Sequence, residues 1–250
     1  MINAELLLHT HSITSIATFK LTLPRVLDRH ILKHRVFSIN SQSSRAMSVS
    51  RVIEGIEKNP VRLLAGIAQK GMIASESTEQ EREIFETLIA EHEQNAIELA
   101  KKLSELNCAK EVVNRYLEPF SHVQLIVTAT DWDNFFKLRI SKGAQSEIRD
   151  LAVAMRDALE KSVPVECTYH FPLIPFEEAF ETPIKNLYII SAARCARISY
   201  GGRSTTDDIE LGKRLLSDGH YTPFEHSATA AEGRHANFTG WQSGRTMFGK

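Results

Sequence analysis

Thirteen residues, Lys33 to Arg45, read KHRVFSINSQSSR and carry the densest set of reactive side chains in the chain. They hold Lys33, Arg35 and Arg45, His34, and four serines at 38, 41, 43 and 44, with no acid among them. Guanidinium forks bind phosphate oxygens in pairs, and hydroxyls with backbone N–H groups complete such a shell. The segment can therefore hold a small phosphate. It can equally be a solvated turn with incidental charge. It has no glycine pattern of the nucleotide-triphosphate loop type.

Other chemistries lack their signatures. No GxSxG, HExxH or GxGxxG occurs. The ten histidines fall at no metal spacing, so no metal is expected. Cys108, Cys167 and Cys195 are far apart and form no CxxC pair; their odd number points to a reducing compartment. Lys and Arg total 30 against 31 Asp and Glu, for a net charge of −1. That balance argues against a general nucleic-acid binder and leaves room for a local basic pocket. No apolar run reaches a membrane span, and the N-terminus lacks a signal-peptide pattern. No membrane partner and a cytoplasmic location are expected, the host cytoplasm if the chain is phage-encoded.

Elements must hold these residues in place. Residues 12–23, SITSIATFKLTL, are β-branched and predict a strand. Pro24 suits the first turn of a helix through RVLDRHILKHR. The Lys33–Arg45 stretch then reads as a loop, because serine and asparagine bond their own backbone. A helix is predicted from near Ser44 to about Glu57, followed by irregular chain over 59–78. The clearest helix spans 77–106, with Ser77 and Gln80 as a capping box and Asn107 at its end. Further helices are predicted over 109–117, 131–140 (capped by Asp131 or Asp133), 144–161 and 205–219, the last stopped by Gly219. HVQLIVTAT, 122–130, predicts a buried strand. Pro164, Pro172, Pro175 and Pro183 mark 162–185 as a linker. One α/β unit is expected, a mainly antiparallel sheet flanked by helices, with 1–161 as its core and 186–250 completing it.

The chemistry-bearing segments resemble the flavin-dependent thymidylate synthases, the ThyX or thymidylate synthase complementing family. That family's signature, RHR-x-x-S-x-N-E-x-S-x-R, stands here at Lys33-His34-Arg35, Ser38, Asn40-Ser41, Ser43 and Arg45. NFFKLRISKGAQSEIRDLA (134–152) is similar to the family's NFLxLR and AQxEIR segments. VVNRYLEP (112–119) is similar to ARxxLP and places Arg115 on its arginine. AARCARISY, followed by GHYTPFEH at 219–226, resembles AARVSY and GHxTPFEH. In typical members that last block comes first, so the order resembles a circular permutation, familiar from phage-encoded members with a tail like NFTGWQSGR.

The resemblance implies FAD-dependent methylation of dUMP at C5, with methylenetetrahydrofolate giving the carbon and NADPH reducing the flavin. No cysteine nucleophile is needed. It places His30, Ser43, Ser44, Arg45, Arg115 and Arg139 on dUMP. Lys33, His34, Arg35, Asn134, Ser199, Thr222 and Glu225 fall on FAD, and His220 near flavin and folate. Arg139, Ser43 and His220 would carry the chemistry. It also implies a homotetramer with sites shared between subunits. Four departures stand out: Lys33 for arginine, Ser41 for glutamate, Thr130 for a common flavin-binding arginine, and Gly143 for a common histidine. They keep two alternatives open, a flavin-dependent C5 hydroxymethylase or similar base modifier, and a nucleotide-binding homologue without turnover.

Overall fold

β-branched and aromatic residues at alternate positions make Ser15–Pro24 the central strand, β2, with Phe19, Leu21 and Leu23 buried. Its partners complete a five-stranded sheet in the computed structural model, which describes residues 2–64, 66–70, 74–198 and 204–249. They are β1 (Asn3–His11), β3 (Ser38–Ser41), β4 (His122–Ala129) and β5 (Val165–Glu166), in the order β3-β4-β2-β1-β5. All neighbours are antiparallel except β1 and β5. A second, antiparallel sheet has the order β6 (Tyr169–His170), β7 (Ala228–His235), β8 (Phe238–Ser243).

Ten helices are described. α1 (Asp28–Leu32) and α2 (Val49–Lys58) flank β3 in sequence, and α3 (Glu79–Glu105) and α4 (Lys110–Leu117) precede β4. α5 (Asp133–Arg139) and α6 (Ser146–Lys161) follow β4. α7 (Phe176–Glu181), α8 (Ile184–Ala196), α9 (Thr205–Ser217) and α10 (Gly244–Phe248) belong to the C-terminal part. The largest core joins Phe19, Leu21, Leu125 and Val127 of the sheet to Phe135, Leu151 and Met155 of α5 and α6. A separate core of Ile53, Ile56, Ile97, Val113 and Leu117 welds α2, α3 and α4. None of the described helices is long and apolar enough to cross a membrane.

Several boundaries differ from the sequence reading. The helix expected after Pro24 is a 3₁₀ turn, Arg25–Leu27, and then only α1. The basic stretch contains strand β3, whose Ser38, Ile39, Asn40 and Ser41 pair with Thr128, Val127, Ile126 and Leu125. Tertiary pairing at a sheet edge there overrides the turn preference of serine and asparagine. The helix predicted from Ser44 is a 3₁₀ turn, Ser44–Ala46, followed by α2 with Ser48 as its cap. The capping box of α3 sits one residue later, on Thr78 and Glu81. β1 was not predicted at all. The proline-rich segment 162–185 contains β5, β6 and α7, with His170 and Phe171 buried.

α8 and α9 approach closely at Gly212. A Cβ there would lie 2.4 Å from the Ile189 carbonyl oxygen. Gly212→Ala should therefore destabilise the chain by about 1–3 kcal/mol, read as a lower urea midpoint.

Candidate functional site

Two groups of polar side chains sit at opposite ends of β3. The first forms around His34, in the tight turn after α1. Its N–H donates to Ile31 O at 3.0 Å and its carbonyl accepts from Phe37 N at 3.0 Å. The ring is buried between Phe37 and Phe135, with centroids 5.5 and 4.9 Å away. Arg139 stands in the last turn of α5, where a helix C-terminus favours a cation. Its Nε donates to His34 Nε2 at 3.0 Å. Accepting that bond requires an unprotonated Nε2, and both burial and the neighbouring guanidinium lower the His34 pKa. His30, on α1, is lowered by partial burial, Arg139 and then Lys33. His30, Lys33, His34 and Arg139 thus form one cluster, in which His34 lies beneath Arg139 while Lys33 is exposed.

The second group forms where β3 ends. Ser43 caps the 3₁₀ turn Ser44–Ala46 and accepts from Arg45 N at 3.2 Å. Ser44 is buried, whereas Ser43, Arg45 and Arg115 are exposed. A 510 Å³ cleft opens here, lined by Arg25, Arg29, Arg115, Ser41, Ser43 and Ser44 among others. Asp28 and Glu118 also line it, and Arg115 donates to Glu118 Oε1 at 3.0 Å. Arg25 donates to Gln42 O at 3.1 Å. Burial lowers its pKa first and Arg115 lowers it further, against Glu118 and Asp28. Arg45 and Arg115 border an adjoining recess of 730 Å³. Three guanidiniums and three serines lining one cleft can hold a phosphate. Sequence reasoning missed Arg25 and Arg29. Their four-residue spacing beside Pro24 was the available signal.

The C-terminal block closes over β3. The 3₁₀ turn Thr222–His226 buries Pro223, Phe224 and His226 and packs against β3 and β4. His226 Nδ1 meets Thr128 Oγ1 at 2.9 Å, and Thr128 pairs with Ser38. Asn40 Nδ2 donates to Cys195 O at 3.5 Å, and Asn237 Nδ2 to Phe37 O at 3.4 Å. Thr222 is exposed, and Glu225 is paired with Arg245. Ser199 lies outside the described residues. Arg35, Asn134 and His220 are exposed, and their side chains make no hydrogen bond among the described residues to the other candidates. Thr130 Oγ1 accepts from Thr239 N at 3.1 Å, so β8 occupies its hydroxyl. A Cβ at Gly143 would meet, among the described residues, Ser141 Oγ at 3.9 Å. Arg197, not singled out from sequence, pairs with buried Asp208 beside Arg194, which locks α8 to α9. Among the described residues no group of three or more His, Cys, Asp or Glu is placed to hold a metal ion.

Two solved structures of a UMP/dUMP methylase PolB from Streptomyces cacaoi are similar to this chain. The one bound with 5-Br UMP is 20% identical with a TM-score of 0.49, over 59% of this chain and 70% of that one. The one bound with 5-Br dUMP is 21% identical with a TM-score of 0.47, over 59% of this chain and 67% of that one. No curated protein matches. A family model described as thymidylate synthase complementing protein matches residues 9–165, a span that contains both polar groups along β3 and stops short of the Thr222–His226 turn. The chain belongs to the thymidylate synthase complementing protein family.

Proposed function

We propose that the chain methylates dUMP to dTMP, with FAD as cofactor, methylenetetrahydrofolate as carbon donor and NADPH as reductant. The observation that carries this reading is the pairing of sites along β3. Arg139 is held by neutral His34 at one end, and Arg25, Arg29 and Arg115 converge with Ser43 and Ser44 at the other. Four residues of strand separate the ends by about 13 Å, the scale of one nucleotide. The phosphate then lies in the cleft on paired guanidinium and hydroxyl contacts. The uracil lies by Arg139, whose cation stabilises negative enolate charge on the pyrimidine oxygen and so favours electron density at C5. His34 fixes the guanidinium plane from below, and His30 reaches the nucleotide beside it.

The exposed residues fit a flavin. Lys33 and Arg35 offer cations for its phosphates, and Asn134 and Thr222 offer hydrogen bonds. Thr130 is engaged by β8, so it cannot do an arginine's work there. When bound, reduced FAD supplies the hydride that completes the methyl group. Glu225, held by Arg245, and His220 stand at the turn that packs on β3, on the side we assign to flavin and folate. Arg35, Asn134 and His220 are exposed in one chain, which leaves them open to a partner, and from the family resemblance we place the complete site between subunits of a homotetramer, in the cytoplasm. The family match ends at 165 while the PFEH turn docks on β3, which supports the permuted order, with 186–250 completing the unit begun by 1–161.

The test is the absorbance spectrum after incubation with FAD and desalting, with and without dUMP. The expected result is a retained flavin spectrum that shifts on adding dUMP, with dTMP as the product by mass. A hydroxymethylated product by mass would move the reading to base modification. The hydroxyl of Thr130, taken up by Thr239 N–H, favours a second reading, a nucleotide binder without turnover. No retained flavin in either condition would count against the enzyme and favour that reading instead.

A further inference from the structure

Beside the cleft lies a second cavity of 230 Å³, and its wall includes Arg25, Gln42, Ser44 and Glu118, which also line the cleft. Asn114 lines this second cavity and is 2% exposed. It stands on α4, one residue before Arg115. Its Nδ2 donates to Ser44 O at 2.8 Å and to Met47 O at 3.1 Å, the two carbonyls at either end of the turn that carries Arg45. Its Oδ1 is buried and has no hydrogen-bond partner among the described residues. Both partners of the nitrogen are acceptors, so the amide can face only one way. A buried unpaired acceptor costs stability, and such groups in a folded chain call for an explanation.

The explanation lies in what the two donors hold. Ser43 Oγ and the Arg45 guanidinium project from a short turn closed by two bonds, Arg45 N to Ser43 Oγ and Ala46 N to Ser43 O. Those bonds leave the carbonyls of Ser44 and Met47 to be met from outside the turn. Asn114 fixes both of them from the helix that also presents Arg115. In the ARxxLP segment that this part of the chain resembles, alanine stands before the arginine, and alanine could make neither bond.

We propose that Asn114 is a positioning residue for the nucleotide's phosphate. It ties the Ser43–Arg45 turn to α4, so that Ser43 and Ser44 face Arg115 across the cleft before the anion arrives, with Arg45 on the adjoining recess. Pre-organisation of this kind raises affinity by removing the ordering cost of the loop. The inference rests on the reading of the cleft as the dUMP site.

The experiment is calorimetric titration of the full chain, wild type and Asn114→Ala, with dUMP and with deoxyuridine. Loss of two ordering hydrogen bonds should weaken dUMP by about tenfold and deoxyuridine by less than about twofold. In turnover the change should fall on KM for dUMP rather than on kcat. Asn114→Asp is nearly isosteric, but an ionised carboxylate cannot donate to either carbonyl and repels the phosphate. It should bind dUMP more weakly than Asn114→Ala, with part of the loss recovered as the carboxyl protonates at lower pH. This second variant decides the matter should alanine fail to fold. Equal weakening of both ligands, or unchanged dUMP binding, would overturn the positioning role. Wild-type protein that binds inorganic phosphate but not dUMP would overturn the nucleotide reading alone, and Asn114→Ala would then be judged on phosphate affinity.

Discussion

Replacing Arg139 with alanine should lower dUMP turnover by about two to three orders of magnitude, the usual effect of deleting a group that stabilises developing charge. The fold should survive, because Arg139 is only half-buried and stands in the last turn of a short helix. Arg139→Lys keeps the charge but loses the planar fork and the Nε–H that His34 accepts, so it should restore only part of the rate. The same bond sets the acid limb of the pH profile. His34 must be neutral to accept from Arg139, and burial together with Arg139 pulls its pKa below the usual 6.5. Turnover should therefore hold down to pH 6.5 and fall at more acid pH, where the ring protonates and repels the guanidinium. Glutamine at 34 can accept the bond and does not titrate. If His34→Gln leaves the acid limb in place, His34 is not the group responsible.

The parts of this site that could be read from sequence are the parts encoded locally. The strand at β2, the strand at β4 and the helices α3, α6 and α9 follow from periodicity and caps, and Asn107 and Gly219 do adopt positive φ where those helices end. The capping box of α3 was misplaced by one residue. Ser77 and Thr78 both precede an acceptor by three residues, and Glu81 wins because its carboxylate takes both the N–H and the hydroxyl of Thr78. β1 and β3 were illegible for a different reason. Each is a strand because of the partner it meets, β2 for one and β4 for the other, and no local signal carries that pairing. The site follows the same division. The motif residues were visible as a string, but Arg25 and Arg29 join the cleft only when β2 delivers them beside Arg115. Thr130 shows the converse. Its departure from the family pattern was plain, while its bond to the β8 backbone, some hundred residues later, was not.

Acidification should unfasten the C-terminal block through two buried histidines. A line of buried hydrogen bonds runs from Thr10 through His170, Thr18 and Thr128 to His226, with each link between 2.7 and 2.9 Å. It joins β1, β6, β2, β4 and the Thr222–His226 turn, so the turn that packs on β3 is held from the centre of the sheet. Burial pushes both rings down to about 3, with His226 and His9 adding to the effect on His170. The unfolded chain titrates near 6.5, so below that pH it takes up protons that the folded chain refuses. Stability from this pair is complete above the unfolded value and is lost as pH falls toward 3. The slope should be about 1.4 kcal/mol per pH unit for each ring. His122, lowered to about 4 by burial, adds to it. Urea midpoints measured between pH 7 and 4 test this directly. Asparagine at 226 can place an amide group where Nδ1 meets Thr128 and cannot take up a proton in this range. His226→Asn should remove about one proton's share of the slope. An unchanged slope would show that the ring is not the titrating group. Because Thr128 also pairs with Ser38, loosening this line disturbs β3 itself. Flavin retention should therefore fail at a higher pH than global unfolding, and loss of both at one pH would mean that the turn and the sheet melt as a single unit.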